Sequence, residues 1–188
     1  VGTGWAAGVM LQPGAGRLLL GQDVSTVTDR HVELSDVLGS QVVTDVRAAM
    51  TDPQDPGCRR EAADSLEAVI RAHLPLDDEG RLVNDLVDHI EHDPSVRQVS
   101  QVCDRFGLSE RALQRLTRRR LGLTPKWLIQ RRRLHEASER LRAGPGDLAA
   151  IAHDLGYADQ AHFTRDFRRV TGITPGGFAR RFAAGADA

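Results

Sequence analysis

Apolar residues follow one another three and four positions apart through most of this chain, and two stretches near its C-terminal end repeat one pattern. In each stretch, three apolar residues at this spacing are followed at once by a glycine, over residues 99–107 and again over residues 148–156. Side chains three and four residues apart lie on one face of a helix. Each stretch therefore predicts a short amphipathic helix that ends at a sharp turn. Gly107 or Gly156 lets the backbone make that turn without strain.

A second helix is predicted after each of these glycines. Ser109 and Asp159 are residue types that cap the N-terminus of a helix, and a Gly-x-Thr-Pro sequence closes each stretch. Glycine ends a helix readily, and proline is well tolerated in the first turn of the next one. A short helix, a sharp turn and a capped second helix make up a helix-turn-helix. We therefore predict two such units, at about 97–121 and about 147–171.

Three further features complete the predicted fold. Residues 125–142 are expected to form one helix, about 27 Å long at 1.5 Å per residue, that links the two units. Apolar faces predict two more helices, which begin near Ser35 and Arg59. Trp5–Leu11 has the character of a short strand, and since one strand cannot bury itself, we expect it to be the tail of a larger upstream domain. The predicted fold is mainly α, with two helix-turn-helix units joined by a long linker helix and preceded by a short strand remnant and two helices.

The net charge of −1 hides an uneven distribution of charged residues. Residues 1–93 hold 7 basic and 17 acidic side chains, whereas residues 94–188 hold 18 basic and 9 acidic ones. Most of the basic excess lies in residues 94–143, which hold 13 basic and 4 acidic side chains. A polyanion is therefore expected to be attracted to the first helix-turn-helix unit and to the linker helix.

The duplicated pattern resembles the DNA-binding region of the AraC/XylS family of transcription regulators, over about residues 79–182. Thr117 departs from the family's pattern, which usually has a large apolar residue there, like Phe167 in the second unit. We therefore expect the first unit to be the less rigid of the two. The runs that carry the resemblance are Ile151-Ala152, Leu155-Gly156-Tyr157, Asp159-Gln160, His162-Phe163, Arg165, Phe167-Arg168 and Gly172-x-Thr174-Pro175, with Arg133-Leu134-x-x-Ala137 and Leu141 in the linker.

The resemblance implies a sequence-specific transcription regulator that binds double-stranded DNA and reads two successive major grooves. It also implies that residues 1–76 are the remnant of an upstream sensor or dimerisation domain with bridging helices, and that residues 77–188 are the AraC-type DNA-binding domain. RNA polymerase is a further partner compatible with that role. An effector would bind the missing upstream domain, and its identity does not follow from this sequence. No cofactor is implied. Since the chain has no apolar run of about 18 residues and no leader pattern, we expect a cytoplasmic protein.

Base contacts are expected from the second helix of each unit, whose apolar residues point inward and whose polar residues face outward. Arginine binds guanine and glutamine binds adenine, each through two hydrogen bonds. With the resemblance, the expected base-reading residues are Arg111, Gln114, Arg115, Gln160, Ala161, Thr164 and Arg165. The arginines suited to phosphate contacts are Arg118, Arg119, Arg120, Arg168 and Arg169.

Three consecutive arginines lie on the linker helix, where successive side chains point about 100° apart. Arg133 is expected to make an internal ion pair, as the resemblance also suggests. Arg131 and Arg132 are expected to be surface charges.

Two other functions stay open from the sequence. The basic unit could dock on an acidic partner as a protein-interaction module. A metal-dependent enzyme would use His89 and His92, which can share a helix face, but the metalloprotease spacing with its glutamate is absent. No glycine-rich phosphate loop or nucleophile motif occurs, and Cys58 and Cys103 have no metal-type spacing. The chain is therefore not expected to be an enzyme.

Overall fold

The fold is built from helices. The computed structural model describes residues 5–52, 54–144 and 146–183, and these ranges contain eleven α-helices and no strand. The helices are α1 (Gly16–Leu20), α2 (Leu34–Leu38), α3 (Ser40–Ala49), α4 (Pro56–Ala72), α5 (Asp78–His92), α6 (Val99–Phe106), α7 (Glu110–Leu121), α8 (Pro125–Arg142), α9 (Leu148–Asp154), α10 (Gln160–Thr171) and α11 (Pro175–Ala183). The predicted mainly α fold is confirmed, and the linker helix α8 begins and ends at the predicted residues.

The strand predicted at Trp5–Leu11 is wrong, because residues 5–12 form no regular secondary structure. A strand needs a neighbouring strand to satisfy its backbone hydrogen bonds, and the described part of the chain offers none. Trp5 and Ala7 pack instead against a small apolar core from α3 and α4. That core consists of Val46, Ala49, Ala62 and Leu66.

The helix predicted to begin near Ser35 is divided into α2 and α3. Gly39 has a φ of +88°, which L side chains rarely adopt, and this residue separates the two helices. Ser35 lies inside α2 and does not cap it. The other predicted helix is α4, which begins at Pro56 because Asp55 caps it by accepting a hydrogen bond from the backbone of Gly57.

The chain forms two compact lobes. The first lobe takes the described residues up to His89 together with Cys103–Pro125. The second lobe takes Ile90–Val102 together with the described residues from Lys126 onward. Helix α7 therefore belongs to the first lobe, and α9 to α11 belong to the second. The domain boundary predicted between residues 76 and 77 follows the sequence motifs and stays a prediction.

In the first lobe, residues 13–28 pack against α7. Two short 3-10 turns and α1, which make up most of this segment, contact that helix. The backbone N–H of Gly14 donates a hydrogen bond of 2.8 Å to Oδ1 of Asn84. A Cβ atom at Gly14 would collide with the backbone of Gly80, so the two chain segments approach as closely as glycines allow. Residues 13–28 are thus part of the framework of this lobe.

An aromatic chain runs through the core of the second lobe. Tyr157, Phe163, Phe167 and Phe178 follow one another with ring centroids 5.3, 5.7 and 5.4 Å apart. Phe163 and Phe167 are fully buried, so they fix the position of α10. The aliphatic side chains around these rings include Leu134, Ala137, Leu141, Ile151, Ala152 and Leu155.

Candidate nucleic-acid interface

Helix α7 is the second helix of the first helix-turn-helix, and its ends are those that the sequence predicts. The side chain of Ser109 caps it by accepting a backbone hydrogen bond of 3.2 Å in the first turn. Gly122 ends it with a φ of +70°. Leu113 and Leu116 are buried, and because they fix the rotation of the helix about its axis, they also decide which side chains face outward.

The predicted base-reading side chains of α7 all lie at the surface. Arg111, Gln114 and Arg115 are exposed, as is Arg118, one of the predicted phosphate contacts. Nε2 of Gln114 donates a hydrogen bond of 2.9 Å to Oε1 of Glu110.

Arg120 is buried, so it is removed from the predicted phosphate contacts. Its side chain is 3% exposed, and its guanidinium forms ion pairs with Asp77 and Glu79, since a buried cation needs carboxylate partners. Arg119 is half-buried and also pairs with Glu79. The hydrogen bonds from Arg120 lower the pKa of both carboxyl groups. The sequence gives no local sign of this pairing, because the partners lie about forty residues apart.

Helix α10 is the second helix of the second unit and is built like α7. Oδ1 of Asp159 accepts a hydrogen bond of 2.6 Å from the backbone N–H of His162, and Gly172 ends the helix with a φ of +80°. Phe163 and Phe167 are the buried side chains of α10, and they match Leu113 and Thr117 of α7. The caps and turns of both helices were predictable from local sequence.

The predicted contact residues of α10 reach the surface to different degrees. Thr164 is half-buried, whereas Gln160, Ala161 and Arg165 are exposed. Both predicted phosphate contacts are exposed as well, at Arg168 and Arg169.

Asp166, which the sequence did not single out, ties α10 to α8. Its Oδ2 accepts a hydrogen bond of 2.7 Å from Nε2 of Gln130, and its Oδ1 accepts one of 3.1 Å from Arg169. Nε2 of His162 lies 3.7 Å from the same carboxylate. These three residues of α10 lie on one helix face, next to the face that carries Arg165.

The internal ion pair predicted for Arg133 is found instead at Arg132. The Arg132 guanidinium is buried, donates a hydrogen bond of 3.0 Å to the carbonyl oxygen of Val96 and lies 3.3 Å from the carboxylate of Glu136. The guanidinium of Arg133 lies over the ring of Tyr157, 3.9 Å from its centroid. Its Nε and Nη2 atoms are buried and have no hydrogen-bond partner in the described part of the chain.

Both turns contain the glycine that the sequence predicts, but their surroundings differ. Gly107 has a φ of +64° and Gly156 a φ of +74°. A Cβ atom at Gly107 would meet nothing within 4 Å, whereas one at Gly156 would lie 3.1 Å from Cδ of Arg97. Nη2 of Arg97 donates a hydrogen bond of 2.9 Å to the carbonyl oxygen of Asp154, so Arg97 braces the second turn.

One of the two histidines considered for a metal site packs against an aromatic ring. His89 packs edge-on against Phe106, with ring centroids 5.8 Å apart. Among the residues that the structure describes, no group of three or more His, Cys, Asp or Glu is placed to hold a metal ion. Cys103 is half-buried, and burial raises the pKa of its thiol. None of the described helices combines the length and the apolar character needed to cross a bilayer.

Comparison with known proteins points to the same region of the chain. Residues 102–181 match a family described as "Helix-turn-helix domain". The HTH-type transcriptional activator RhaS of Escherichia fergusonii is 39% identical over 87 residues, which are 46% of this chain and 30% of that protein. RhaS of Pectobacterium carotovorum is 36% identical over 74 residues, which are 39% of this chain and 26% of that protein. This chain therefore matches less than a third of the length of these relatives.

A solved structure described as that of the xylose-binding transcription activator xylR is also similar. It is 18% identical, has a TM-score of 0.44, and the match covers 66% of this chain and 39% of that one. This likeness is too distant to carry an argument about the present chain.

Proposed function

We propose that this chain, whose residues 102–181 match the helix-turn-helix domain of the AraC/XylS family, is a sequence-specific, double-stranded DNA-binding transcription regulator. It reads two successive major grooves, one with α7 and one with α10. The family is one of transcription regulators, which supports the proposal. The single observation that carries it is that two separately capped helices present exposed arginine and glutamine side chains over a buried apolar face.

The exposed side chains of these helices have the chemistry that base edges require. Arginine binds guanine through O6 and N7, glutamine binds adenine through N6 and N7, and a small apolar side chain contacts the methyl group of thymine. In a helix-turn-helix, residues near the start of the second helix contact the bases. The proposed base-reading residues are Arg111, Gln114 and Arg115 on α7, and Gln160, Ala161, Thr164 and Arg165 on α10.

Arginines further along the same helices are proposed to contact phosphates. Arg118, Arg168 and Arg169 are exposed and can reach the DNA backbone, and Arg119 keeps part of its guanidinium at the surface. Arg120 is left out, because its guanidinium is buried in ion pairs. Phosphate contacts set affinity and register but carry no direct sequence information.

The linker helix supports a reading of two grooves on one face of the duplex. Helix α8 has 18 residues and is therefore about 27 Å long at 1.5 Å per residue. Successive major grooves on one face of B-DNA lie about 34 Å apart. We propose that a helix of this length lets α7 and α10 enter successive major grooves, on a site roughly 20 base pairs long.

Random-site selection with the purified protein tests this proposal directly. We expect it to return a motif with two conserved blocks about one helical turn apart. Binding to the selected duplex should exceed binding to a scrambled one by at least about a thousandfold at physiological salt. Recovery of no motif, with binding that salt abolishes on every duplex alike, would contradict the proposal and favour the protein-interaction alternative.

Substitution of one base-reading residue on each helix separates base readout from charge attraction. Gln114→Ala and Arg165→Ala are each expected to cost about 1–3 kcal/mol on the selected duplex and much less on the scrambled one. Arg168→Ala is the matched control, because loss of a phosphate contact weakens binding to both duplexes alike. Equal losses on both duplexes for Gln114→Ala would remove Gln114 from the base-reading set.

The relatives that match are named transcriptional activators. An activator acts by bringing RNA polymerase to a promoter, so RNA polymerase is the proposed protein partner. A gel-shift titration that adds polymerase to the complex of protein and selected duplex should show a slower band, and no such band should form when either component is omitted.

A further inference from the structure

An open cleft lies beside α10 in the second lobe, with a volume of about 520 Å³. Its walls come from residues just before and at the start of α6, from the first half of α8 and from one face of α10. Four of its lining side chains are cationic, namely Arg97, Lys126, Arg133 and Arg169. A cleft of this size is large enough for a phosphate group with its flanking sugars.

The charges in the cleft do not balance. Asp166 is the one carboxylate among the lining residues, and it already accepts hydrogen bonds from Gln130 and Arg169. The positive charges of Lys126, Arg97 and Arg133 have no carboxylate on the cleft wall to offset them. Cations gathered in a concave surface focus the electrostatic potential there and attract an anion.

Arg133 presents a fixed positive charge to the cleft. The aromatic ring of Tyr157 holds its guanidinium in place from one side, 3.9 Å from the ring centroid. Nε and Nη2 find no acceptor in the described part of the chain. A phosphate oxygen entering the cleft would meet a guanidinium that is already held in place.

The position of the cleft identifies the anion. The face of α10 that lines it, with His162, Asp166 and Arg169, adjoins the face that carries the proposed base-reading residue Arg165. A duplex whose major groove receives α10 brings its sugar-phosphate backbone along the flank of that helix. We propose that this cleft receives a backbone phosphate of the bound DNA, held by Lys126, Arg97 and Arg133. The inference rests on the proposed function, because DNA supplies the phosphate.

Lys126→Gln tests the cleft with little risk to the fold, because Lys126 is exposed at its rim. Its matched control is Arg60→Gln, which removes one positive charge from an exposed position of α4. The measurement is the dependence of log Kobs on log salt concentration, for the selected and the scrambled duplex. Lys126→Gln should reduce the magnitude of the slope by about 0.9, the value for one phosphate contact. It should weaken binding to both duplexes by the same factor, whereas Arg60→Gln should leave the slope unchanged.

The single tyrosine of the chain gives a second, independent signal. Tyr157 lies directly against Arg133, so the NMR signals of its ring report on what enters the cleft. They should shift when DNA is added, and shift less in Lys126→Gln. Inorganic phosphate, added at the ionic strength of a chloride control, should shift them less than DNA does.

Two outcomes would overturn the inference. A salt slope for Lys126→Gln equal to that of Arg60→Gln would show that the cleft holds no DNA phosphate. An equal response of Tyr157 to inorganic phosphate and to DNA would make the cleft a site for a free anion. Failure of the proposed function would give a different result, because random-site selection would then return no motif. The salt slope of Lys126→Gln on the scrambled duplex would still show whether the cleft binds a DNA phosphate. Arg97→Gln is a further variant, whose folding is checked first because Arg97 braces the turn at Gly156.

Discussion

Helix α7 is held in the first lobe by aliphatic contacts and a buried cation, whereas α10 is held in the second lobe by a chain of aromatic rings. The outer faces of the two helices are alike, with exposed arginine and glutamine, and so are their caps and their terminal glycines. Their inner faces differ because Arg120 reaches Asp77 and Glu79, while Phe163 and Phe167 fill an apolar core. Two helices with similar exposed faces are therefore held in place by interactions that respond differently to cavities, salt and pH.

Loss of an aromatic ring from α10 should have the largest effect. Phe167→Ala removes a fully buried side chain that contacts two other rings, so we expect it to cost about 3–5 kcal/mol of stability. Val170→Ala on the same helix is the control, since that side chain is 44% exposed and should change stability by less than about 0.5 kcal/mol. Denaturant unfolding followed by circular dichroism measures both. Similar small losses in the two variants would argue against the aromatic core as the support of α10.

Removal of the buried cation from α7 should have the next largest effect. Arg120→Met keeps much of the side-chain volume but breaks the ion pairs with Asp77 and Glu79. We expect a loss of about 1.5–3 kcal/mol, the range for hydrogen bonds to charged groups, because both carboxylates are half-exposed and solvent screens them. Arg118→Met, at an exposed position two residues earlier on α7, should leave the stability nearly unchanged. A stability of Arg120→Met equal to that of the wild type would show that the ion pairs contribute nothing net.

The pH dependence of the same variant sharpens this contrast. The pKa of Asp77 and of Glu79 is lowered in the folded protein, chiefly by hydrogen bonds from Arg120. Their contribution to stability is therefore fully present above the ordinary carboxyl range and is lost as pH falls through the lowered pKa values. The difference in unfolding free energy between the wild type and Arg120→Met should shrink as the solution is acidified below that range. A difference that stays constant with pH would contradict the assignment.

The two turn glycines should respond unequally to the same substitution. Gly107→Ala and Gly156→Ala each place a side chain in the left-handed region, at a cost of about 1–2 kcal/mol. Only at Gly156 does the new methyl group meet Arg97 and disturb its bond to Asp154. Thermal unfolding should therefore show the greater loss for Gly156→Ala. Equal losses would mean that Arg97 gives way without cost.

Thr117→Val should have the smallest effect. Thr117 is fully buried, and its hydroxyl donates a long hydrogen bond of 3.3 Å to the carbonyl oxygen of Gln114 within the same helix. Replacing that hydroxyl with a methyl group is expected to change stability by less than about 1 kcal/mol. That the first unit is the less rigid one stays a prediction, which amide hydrogen exchange along α7 and α10 would test. A large loss in Thr117→Val would show that the weak hydroxyl bond matters more than its length suggests.

Local signals explain which parts of this fold could be predicted. The caps Ser109 and Asp159 and the glycines at 122 and 172 act within one turn of the helix they bound, so the sequence alone locates α7 and α10. The prediction of a strand at Trp5–Leu11 was wrong because a strand needs a neighbouring strand to pair with, and a pattern of seven residues does not show whether one is present.

The candidate interface was predictable where exposure follows from helix periodicity. Exposure was not predictable where a residue distant in sequence determines it. Arg120 is buried because it pairs with acidic residues about forty positions earlier. Arg132, and not Arg133, donates a hydrogen bond to the carbonyl oxygen of Val96. The sequence of a basic run does not show which of its arginines is exposed and which is buried. The cleft beside α10 could not be predicted for the same reason, since its walls come from three separate stretches of chain.

The contact between Gly14 and Gly80 has a practical consequence for the choice of fragment boundaries. A protein shortened to residues 77–188 would retain α7, α10 and every proposed DNA contact. It would lack residues 13–28, which pack against α7. The side-chain oxygen of Asn84 would also lose the hydrogen bond from the backbone N–H of Gly14. Expression trials that start the chain ahead of residue 12 should therefore yield a better-behaved sample than trials that start at the motif boundary.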